Sequence, residues 1–229
     1  MIAPERQPFV PTQHLTVLMT GFAPFGGETV NPSWQAVQRV AATWDGPATL
    51  TVVELPVVFG ESAGVLHRVM RQVQPDLVIA VGQSGGRTQV TPERIAINVD
   101  DARIPDNVGN QPIDAPIDPD GPAAWFTTLP VKRAVAAMRD REIPAAVSNS
   151  AGTYVCNHVF YHLMSIIAAE FPATRGGFIH VPFSTEQVAA SGSPQPGLPV
   201  ATIADGLTIM LRTALETCDD IAIPGGTEH

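Results

Sequence analysis

Residues 145–182 read AAVSNSAGTYVCNHVFYHLMSIIAAEFPATRGGFIHVP and contain one strand, turn, helix and strand unit. The first predicted strand, 145–149, ends at a turn that contains Gly152. The predicted helix spans 157–170, and the second predicted strand spans 177–182. A helix that runs down a sheet and a strand that runs back up is the repeating unit of parallel α/β sheets. This stretch therefore predicts an α/β fold.

The same alternation extends over the rest of the chain. Each predicted helix has apolar residues at intervals of three and four, and Asn31 followed by Pro32 marks the start of the first one. Residues 100–125 contain Asp-Pro and Gly-Pro pairs without a helical period, which predicts a long surface loop. Further predicted strands are 15–20, 50–55, 76–81 and 95–99, and further predicted helices are 32–44, 61–74, 130–141 and 200–217.

The length of 229 residues favours one domain over residues 1–229, with two small domains as the alternative. We expect helical layers around a largely parallel sheet, and flexible ends at 1–14 and 220–229. In such sheets, ligands bind at the carboxyl edge of the strands. The segments that follow the strands 15–20, 76–81 and 145–149 are therefore expected to form the site.

The composition narrows the range of partners. The formal net charge is −9, whereas binding to nucleic acid or to an anionic membrane needs clustered Lys and Arg. The first residues lack the basic and apolar regions of a signal peptide, and no apolar run reaches the ~18 residues of a membrane span. We therefore expect a cytoplasmic protein with neither nucleic acid nor membrane as a partner. Charged residues make up 15% of the chain, below the roughly 25% of typical soluble domains, which favours a homo-oligomer.

Cys156 and His180 form the predicted catalytic pair. Cys156 lies at the start of the predicted helix 157–170, where the partial positive charge of a helix N-terminus lowers the pKa of a thiol, so we expect a thiolate. The helix is ~21 Å long, and the strand 177–182 returns His180 to the same edge, where it can accept the thiol proton. Taken alone, each residue is equally compatible with ordinary core packing. The second cysteine, Cys218, lies beside two aspartates whose charges raise the pKa of a thiol.

Other motifs offer competing interpretations. The segment 82–86 fits the G-x-S-x-G nucleophile elbow, which makes Ser84 the second candidate nucleophile. However, an elbow leads into a helix, whereas the following residues RTQVTPERIAINVD alternate like a strand. His158 and His162 have the spacing of zinc-binding helices, but Val159 stands where the glutamate of that motif belongs. We therefore predict no metal and no cofactor.

Four blocks of sequence, in order, resemble the family of pyroglutamyl peptidase I, also called pyrrolidone carboxyl peptidase. The resemblance spans about residues 15–215 and implies a cytosolic cysteine peptidase with a three-layer α/β/α sandwich, a central mixed sheet and a tetrameric assembly. The blocks are TGFAPFGGETVNPSW at 20–34, GQSGGR with PERIAINVDDARIPDN at 82–107, SNSAGTYVCNHVFYHLM at 148–164 and GFIHVPF at 177–183.

The resemblance implies a catalytic glutamate, cysteine and histidine, which fall on Glu93, Cys156 and His180. Glu93 would orient the imidazole, as a carboxylate does in other triads; its alternative is a solvated ion pair with its neighbour Arg94. The implied function is hydrolysis of the amide bond after an N-terminal pyroglutamyl residue of a peptide, through a thioester. The alternatives are a serine esterase that uses Ser84 and a non-catalytic binding module.

A second group of residues is expected to bind the substrate. The resemblance assigns Phe22 and Phe25 to the walls of the pyroglutamyl pocket, although each also fits core packing. Gln83 offers both a donor and an acceptor to a lactam, and Asn31 either assists it or caps the first helix. Arg103 stabilises the oxyanion or forms a surface ion pair. The remaining predicted wall residues are Ile104, Tyr154 and Val155.

Departures from the family pattern are few. Ser84 stands where alanine is frequent, Asn149 and Ser150 replace a commoner Tyr-Thr pair, and Tyr154 replaces a frequent phenylalanine. The first and last lie near the expected site, where they are able to alter affinity.

Overall fold

The computed structural model describes residues 14–192 and 194–226 of the chain. Strands and helices alternate through these residues, as the sequence predicts. Strands β1 to β9 span Thr16–Phe22, Thr49–Leu55, Leu77–Gln83, Thr91–Pro92, Ile95–Ile97, Ala124–Phe126, Arg175–Val181, Phe183–Ser184 and Gly197–Leu198. Helices α1 to α6 span Pro32–Thr43, Glu61–Val73, Val131–Arg139, Val155–Glu170, Thr185–Ser191 and Val200–Glu216.

The central sheet has five strands in the order β2-β1-β3-β7-β4. The first four are parallel, and the short β4 pairs antiparallel with β7. Every residue of β3 is buried, as expected for a strand whose two faces are both covered by helices. Two small sheets, β5-β6 and β8-β9, lie beside the central one. The predicted mostly parallel mixed sheet is confirmed.

Helices cover both faces of the sheet. One apolar core joins α1, α3 and α6 to side chains such as Met19 and Ile79, which point to one face of β1 and β3. The second core joins α2 and α4 to Leu18, Val78 and Phe178 on the other face. Because side chains alternate along a strand, each of the four parallel strands contributes to both cores. The fold is therefore the three-layer α/β/α sandwich that the sequence predicted.

Residues 145–149 were predicted as a regular strand, and that prediction is wrong. The segment runs beside β4 and forms only isolated parallel bridges. Ala146 N–H donates to the Val90 carbonyl at 3.1 Å, and Ser148 N–H donates to the Pro92 carbonyl at 2.9 Å. Between them, Pro92 has no amide hydrogen, so the bond that would join the two bridges cannot form. The segment still extends to the carboxyl edge of the sheet.

The described part of the C-terminal tail is held against α3. The helix has no side-chain cap in its own sequence; instead, Asp220 Oδ2 accepts from Lys132 N–H at 3.0 Å and Oδ1 accepts from Arg133 N–H at 2.8 Å. The Gly225 carbonyl accepts from Arg94 Nη2 at 2.7 Å. Of the ends predicted to be flexible, 1–13 and 227–229 lie outside the described residues, and the prediction stays open there.

Candidate active site

Cys156 is the second residue of α4 and contacts the end of β3. Tyr154 precedes the helix without making a side-chain cap, so the first-turn amides of α4 are left without that partner. A Cβ atom built on Gly82 would lie 2.7 Å from Cys156 Sγ. The sulfur therefore rests on backbone at a point where only glycine leaves it room.

His180 is the register partner of Gly82 in the parallel pair of β3 and β7. Register partners in neighbouring strands lie ~4.8 Å apart and direct their side chains to the same face. Since Phe178 of the same strand packs in the core beneath α4, His180 also points to the α4 side. Cys156 and His180 line the same cavity. The structure thus brings together the two residues that the sequence paired.

Glu93 lies behind the imidazole. Its side chain is fully buried, and Oε1 lies 2.7 Å from His180 Nδ1. The same oxygen forms an ion pair at 2.8 Å with Arg87 Nη1. Because an ionised carboxylate only accepts hydrogen bonds, Nδ1 must carry the hydrogen. Nε2 of His180 is then left with a lone pair that can accept a proton.

Burial disfavours the charged form of both reacting groups. Burial, reinforced by the negative charge of Glu93 and opposed by Arg87, raises the pKa of the Cys156 thiol to about 12. Burial also lowers the pKa of His180, whereas the hydrogen bond that its Nδ1–H donates to Glu93 acts to raise it. The direction of the Cys156 shift is opposite to the lowered thiol pKa that the helix N-terminus predicted. A helix N-terminus alone favours a lowered pKa, but burial outweighs it here.

Arg87 is a central residue that sequence reasoning missed. Besides its ion pair with Glu93, its guanidinium donates to Thr91 Oγ1 and to the Ser150 carbonyl, the latter at 3.1 Å. Thr91 Oγ1 in turn donates to the His180 carbonyl at 3.1 Å. Arg87 therefore links the carboxylate, the histidine strand and the loop that precedes Cys156. The sequence clue to this role was the position of Arg87 as the last residue of GQSGGR, in the turn that follows β3.

The candidate active site opens into a cavity of about 350 Å³, a size suited to a small ligand group. Arg103 and Ile104 do not belong to the lining of this cavity: Arg103 is exposed and Ile104 is half-buried in the loop after β5. The predicted residues that do line it are Phe22, Phe25, Asn31, Gln83, Tyr154, Val155, Cys156 and His180. Further lining residues are Val57, Ser84, Gly85, Arg87 and 150–153.

Asn31 is the N-cap of α1. Its Oδ1 accepts from Ser33 N–H at 3.1 Å and from Ser33 Oγ at 2.8 Å, and its Nδ2 donates to the Ala23 carbonyl at 3.0 Å. The capping alternative is confirmed. A single Nδ2 hydrogen remains for a ligand, so the predicted substrate contact of Asn31 is limited to donating.

Similarity to known proteins extends over nearly the whole described chain. Residues 15–217 match the pyroglutamyl peptidase family. The pyrrolidone-carboxylate peptidase of Streptomyces coelicolor is 58% identical over 215 residues, which cover 93% of this chain and 99% of that protein. The crystal structure of pyroglutamyl peptidase I from Bacillus amyloliquefaciens has a TM-score of 0.88 and 50% identity, covering 93% of this chain and 100% of the other.

The chain belongs to the pyroglutamyl peptidase family. A mutant pyrrolidone carboxyl peptidase from Pyrococcus furiosus gives a TM-score of 0.84 at 39% identity, over 88% of this chain and 99% of that one. The sequence-based prediction of an enzyme of this family is confirmed.

Ser84, the competing nucleophile, also lines the cavity. Its surroundings differ from those of a nucleophile elbow, because a glycine turn and then β4 follow it instead of a helix. Among the described residues, no histidine or carboxylate is hydrogen-bonded to Ser84 Oγ. The geometry therefore favours Cys156 as the nucleophile.

The histidine pair on α4 has structural partners. His158 Nδ1 lies 2.8 Å from Asp100 Oδ2, and His158 Nε2 accepts from Gly60 N–H at 3.0 Å. Burial, together with the neighbouring His158, lowers the pKa of His162 to about 4. Within residues 14–192 and 194–226, no group of three or more His, Cys, Asp or Glu is placed to hold a metal ion, and no helix has the length and apolar character of a membrane span.

Proposed function

We propose that this enzyme removes the N-terminal pyroglutamyl residue from peptides, with Cys156 as the nucleophile. The observation that carries the proposal is the contact of Cys156 Sγ with Gly82, next to a histidine whose Nδ1 is held by buried Glu93. This is the arrangement of a cysteine nucleophile, a base and an orienting carboxylate.

The cavity suits a neutral N-terminal ring. A free peptide N-terminus carries a positive charge and needs a carboxylate partner, but no Asp or Glu is among the residues that line the cavity. Pyroglutamate has a lactam in place of that amine, so it requires apolar walls and a few amide-matching groups. Phe22 and Phe25 supply apolar surface, and Gln83 supplies a carboxamide.

Acylation begins with a proton transfer. His180 Nε2 accepts the thiol proton as Cys156 Sγ attacks the pyroglutamyl carbonyl carbon. The first-turn amides of α4 donate to the oxyanion of the tetrahedral intermediate. His180 then returns the proton to the leaving nitrogen, the C–N bond breaks, and the shortened peptide departs with a free amino terminus.

Deacylation uses water and the same histidine. Neutral His180 takes a proton from water, the hydroxide adds to the thioester carbonyl, and the C–S bond breaks as the thiol is re-formed. Free pyroglutamate is released. Glu93 stabilises the imidazolium in both halves, since its carboxylate faces the Nδ1 hydrogen. No step requires a cofactor.

A fluorogenic pyroglutamyl amide tests this function. We expect turnover by the wild-type enzyme, a loss of at least about a thousandfold in Cys156→Ala, and near-normal activity in Ser84→Ala. Full activity in Cys156→Ala would contradict the thiol mechanism. Loss in Ser84→Ala alone would favour the serine esterase, and failure to cleave any amide or ester would favour a binding module.

A further inference from the structure

Gln187 is a buried glutamine on the short helix α5, next to the cavity but outside its lining. Its side chain is 5% exposed, and its Nε2 donates to Gln83 Oε1 at 3.2 Å. The cap of α5 fixes its backbone, because Ser184 Oγ accepts from Gln187 N–H at 3.0 Å. Gln187 therefore approaches Gln83 from a rigid, dry position behind the cavity.

The bond to Gln83 is the one hydrogen bond of the Gln187 side chain among the described residues. Gln187 Oε1 is buried and has no partner there. Buried polar atoms without partners are rare and call for an explanation. A methionine or leucine of similar size would fill this space without leaving a polar atom unpaired, so the contact with Gln83 is what gives this side chain a polar role.

The pair of carboxamides has two possible polarities. In the observed one, Gln187 donates to one lone pair of Gln83 Oε1, and the Gln83 amino group remains to meet a ligand in the cavity. In the reversed one, Gln83 would donate to Gln187, and its carbonyl oxygen would face the ligand. The first arrangement binds a hydrogen-bond acceptor and the second binds a donor.

We propose that Gln187 is a positioning residue that sets the hydrogen-bonding polarity of Gln83, so that the cavity selects a ring bearing a carbonyl oxygen. This inference rests on the proposed function and deepens it. Gln83 donates to the lactam carbonyl of the pyroglutamyl ring, and a prolyl ring, which lacks that carbonyl, leaves the donor unpaired. A site discriminates more strongly when the wrong ligand leaves one of its buried polar groups unpaired than when that ligand only fits an apolar pocket less well.

Two substitutions separate orientation from packing. Gln187→Met keeps the length of the side chain and removes the hydrogen bond, so Gln83 is free to take either polarity. Gln187→Glu supplies only an acceptor when ionised, so it forces the reversed polarity. Ala189→Met places the same new side chain on an exposed position of the same helix and serves as the control.

The primary measurement is KM and kcat for the fluorogenic pyroglutamyl amide. We expect KM to rise about five- to tenfold in Gln187→Met, the loss of roughly one neutral hydrogen bond, and to rise further in Gln187→Glu. We expect kcat to stay within about twofold, since the lactam contact is the same in ground and transition states. Unchanged KM in both variants, or a fall in kcat alone, would overturn the proposal.

A double-mutant cycle shows whether Gln187 acts through Gln83. In a Gln83→Met background, Gln187→Met should have no further effect, whereas a general structural role would give additive losses. Calorimetric binding of free pyroglutamate and of proline to the same variants gives a readout that does not need turnover. If the wild type fails to cleave the amide, the proposed hydrolysis fails, and the change in pyroglutamate affinity alone decides the role of Gln187.

Discussion

Gly82 is the residue whose missing side chain lets the nucleophile approach the sheet. A Cβ atom there would lie 2.7 Å from Cys156 Sγ and 2.8 Å from Phe178 Cζ, closer than non-bonded atoms tolerate. Gly82→Ala must therefore push the sulfur away from its position beside His180. Because a misplacement of about 1 Å costs roughly a hundredfold in rate, we expect kcat/KM to fall about a hundredfold.

The matched control for this substitution is Gly64→Ala. Gly64 lies in α2, and nothing lies within 4 Å of its added Cβ, so this change should leave kcat/KM intact and stabilise the helix by about 1 kcal/mol. Thermal unfolding of both variants separates a displaced nucleophile from a damaged fold. Wild-type kinetics in a folded Gly82→Ala protein would contradict the placement of Cys156.

The protonation state of Cys156 can be measured directly. Burial raises the pKa of this thiol to about 12 and lowers that of His180. In a Cys218→Ser background, the rate of alkylation of Cys156 should therefore keep rising as the pH increases beyond 9. A preformed thiolate and imidazolium pair would instead give a rate that is already constant near neutral pH, and that outcome would restore the expectation from the helix N-terminus.

Sequence reasoning found the nucleophile and the base because both lie at predictable ends of regular elements. Glu93 was reached only through the family resemblance, since it contacts His180 across 87 positions of the chain and lies outside any periodic pattern. Arg87 was missed for the same reason. Contacts among loop residues depend on how separate strands align, and local patterns do not encode that alignment.

At the scale of elements, α4 combines the candidate nucleophile with the half-buried His162, whose pKa is lowered. The pKa of His162 is lowered from 6.5 to about 4 by burial and by His158, against the opposing charges of Asp100 and Asp118. The unfolded chain therefore binds a proton near pH 6.5 that the folded chain does not bind until about pH 4. Stability from this group is complete above that window and is lost as the pH falls through it.

The substitution His162→Gln should remove this dependence. At about 1.4 kcal/mol per pKa unit, the upper limit of the contribution is roughly 3.5 kcal/mol, and solvent screening of the half-buried ring makes it smaller. Urea unfolding at a series of pH values measures it. We expect the wild type to lose more stability than His162→Gln between pH 6.5 and 4, while the exposed His14→Gln behaves like the wild type. Parallel curves for all three proteins would show that His162 is not the group responsible.

The long helices and strands were predictable because each is long enough to show the regular spacing of its apolar residues. The helix α5 was not: it has seven residues, about two turns, and its one buried side chain is the polar Gln187. The segment 145–149 looked like a strand, but the proline that interrupts its ladder lies in the neighbouring strand. Its irregularity therefore depends on a pairing that only the folded chain reveals.

At the scale of the whole molecule, the tail completes a helix that is distant in sequence. Asp220 accepts from two amides at the start of α3, which has no cap of its own. Asp220→Ala should therefore lower the free energy of unfolding by about 1 kcal/mol, seen as a lower melting temperature with unchanged kcat/KM. Asp219→Ala is the control, because its backbone carbonyl, which accepts from Arg133 Nε, is kept in alanine. Equal effects of both changes would argue for net charge as the cause.

The predicted tetramer stays a prediction. The low fraction of charged residues favours an oligomer, and Val108, Ile113 and Phe126 are large apolar side chains more than 60% exposed in the single chain. Sedimentation equilibrium should give a mass four times that of the chain. A monomeric mass at micromolar concentration would contradict the expectation.

The cap that Asp220 forms also affects the order in which the chain folds during synthesis. During synthesis, the Lys132 amide at the start of α3 leaves the ribosome first, and the Asp220 side chain that caps it follows 88 residues later. By then the nucleophile, its base and the orienting carboxylate have all been translated, and domains fold as their elements become available. A nascent chain can therefore assemble the catalytic edge early, while the opposite layer of helices stays incomplete until α6 and Asp220 have been translated.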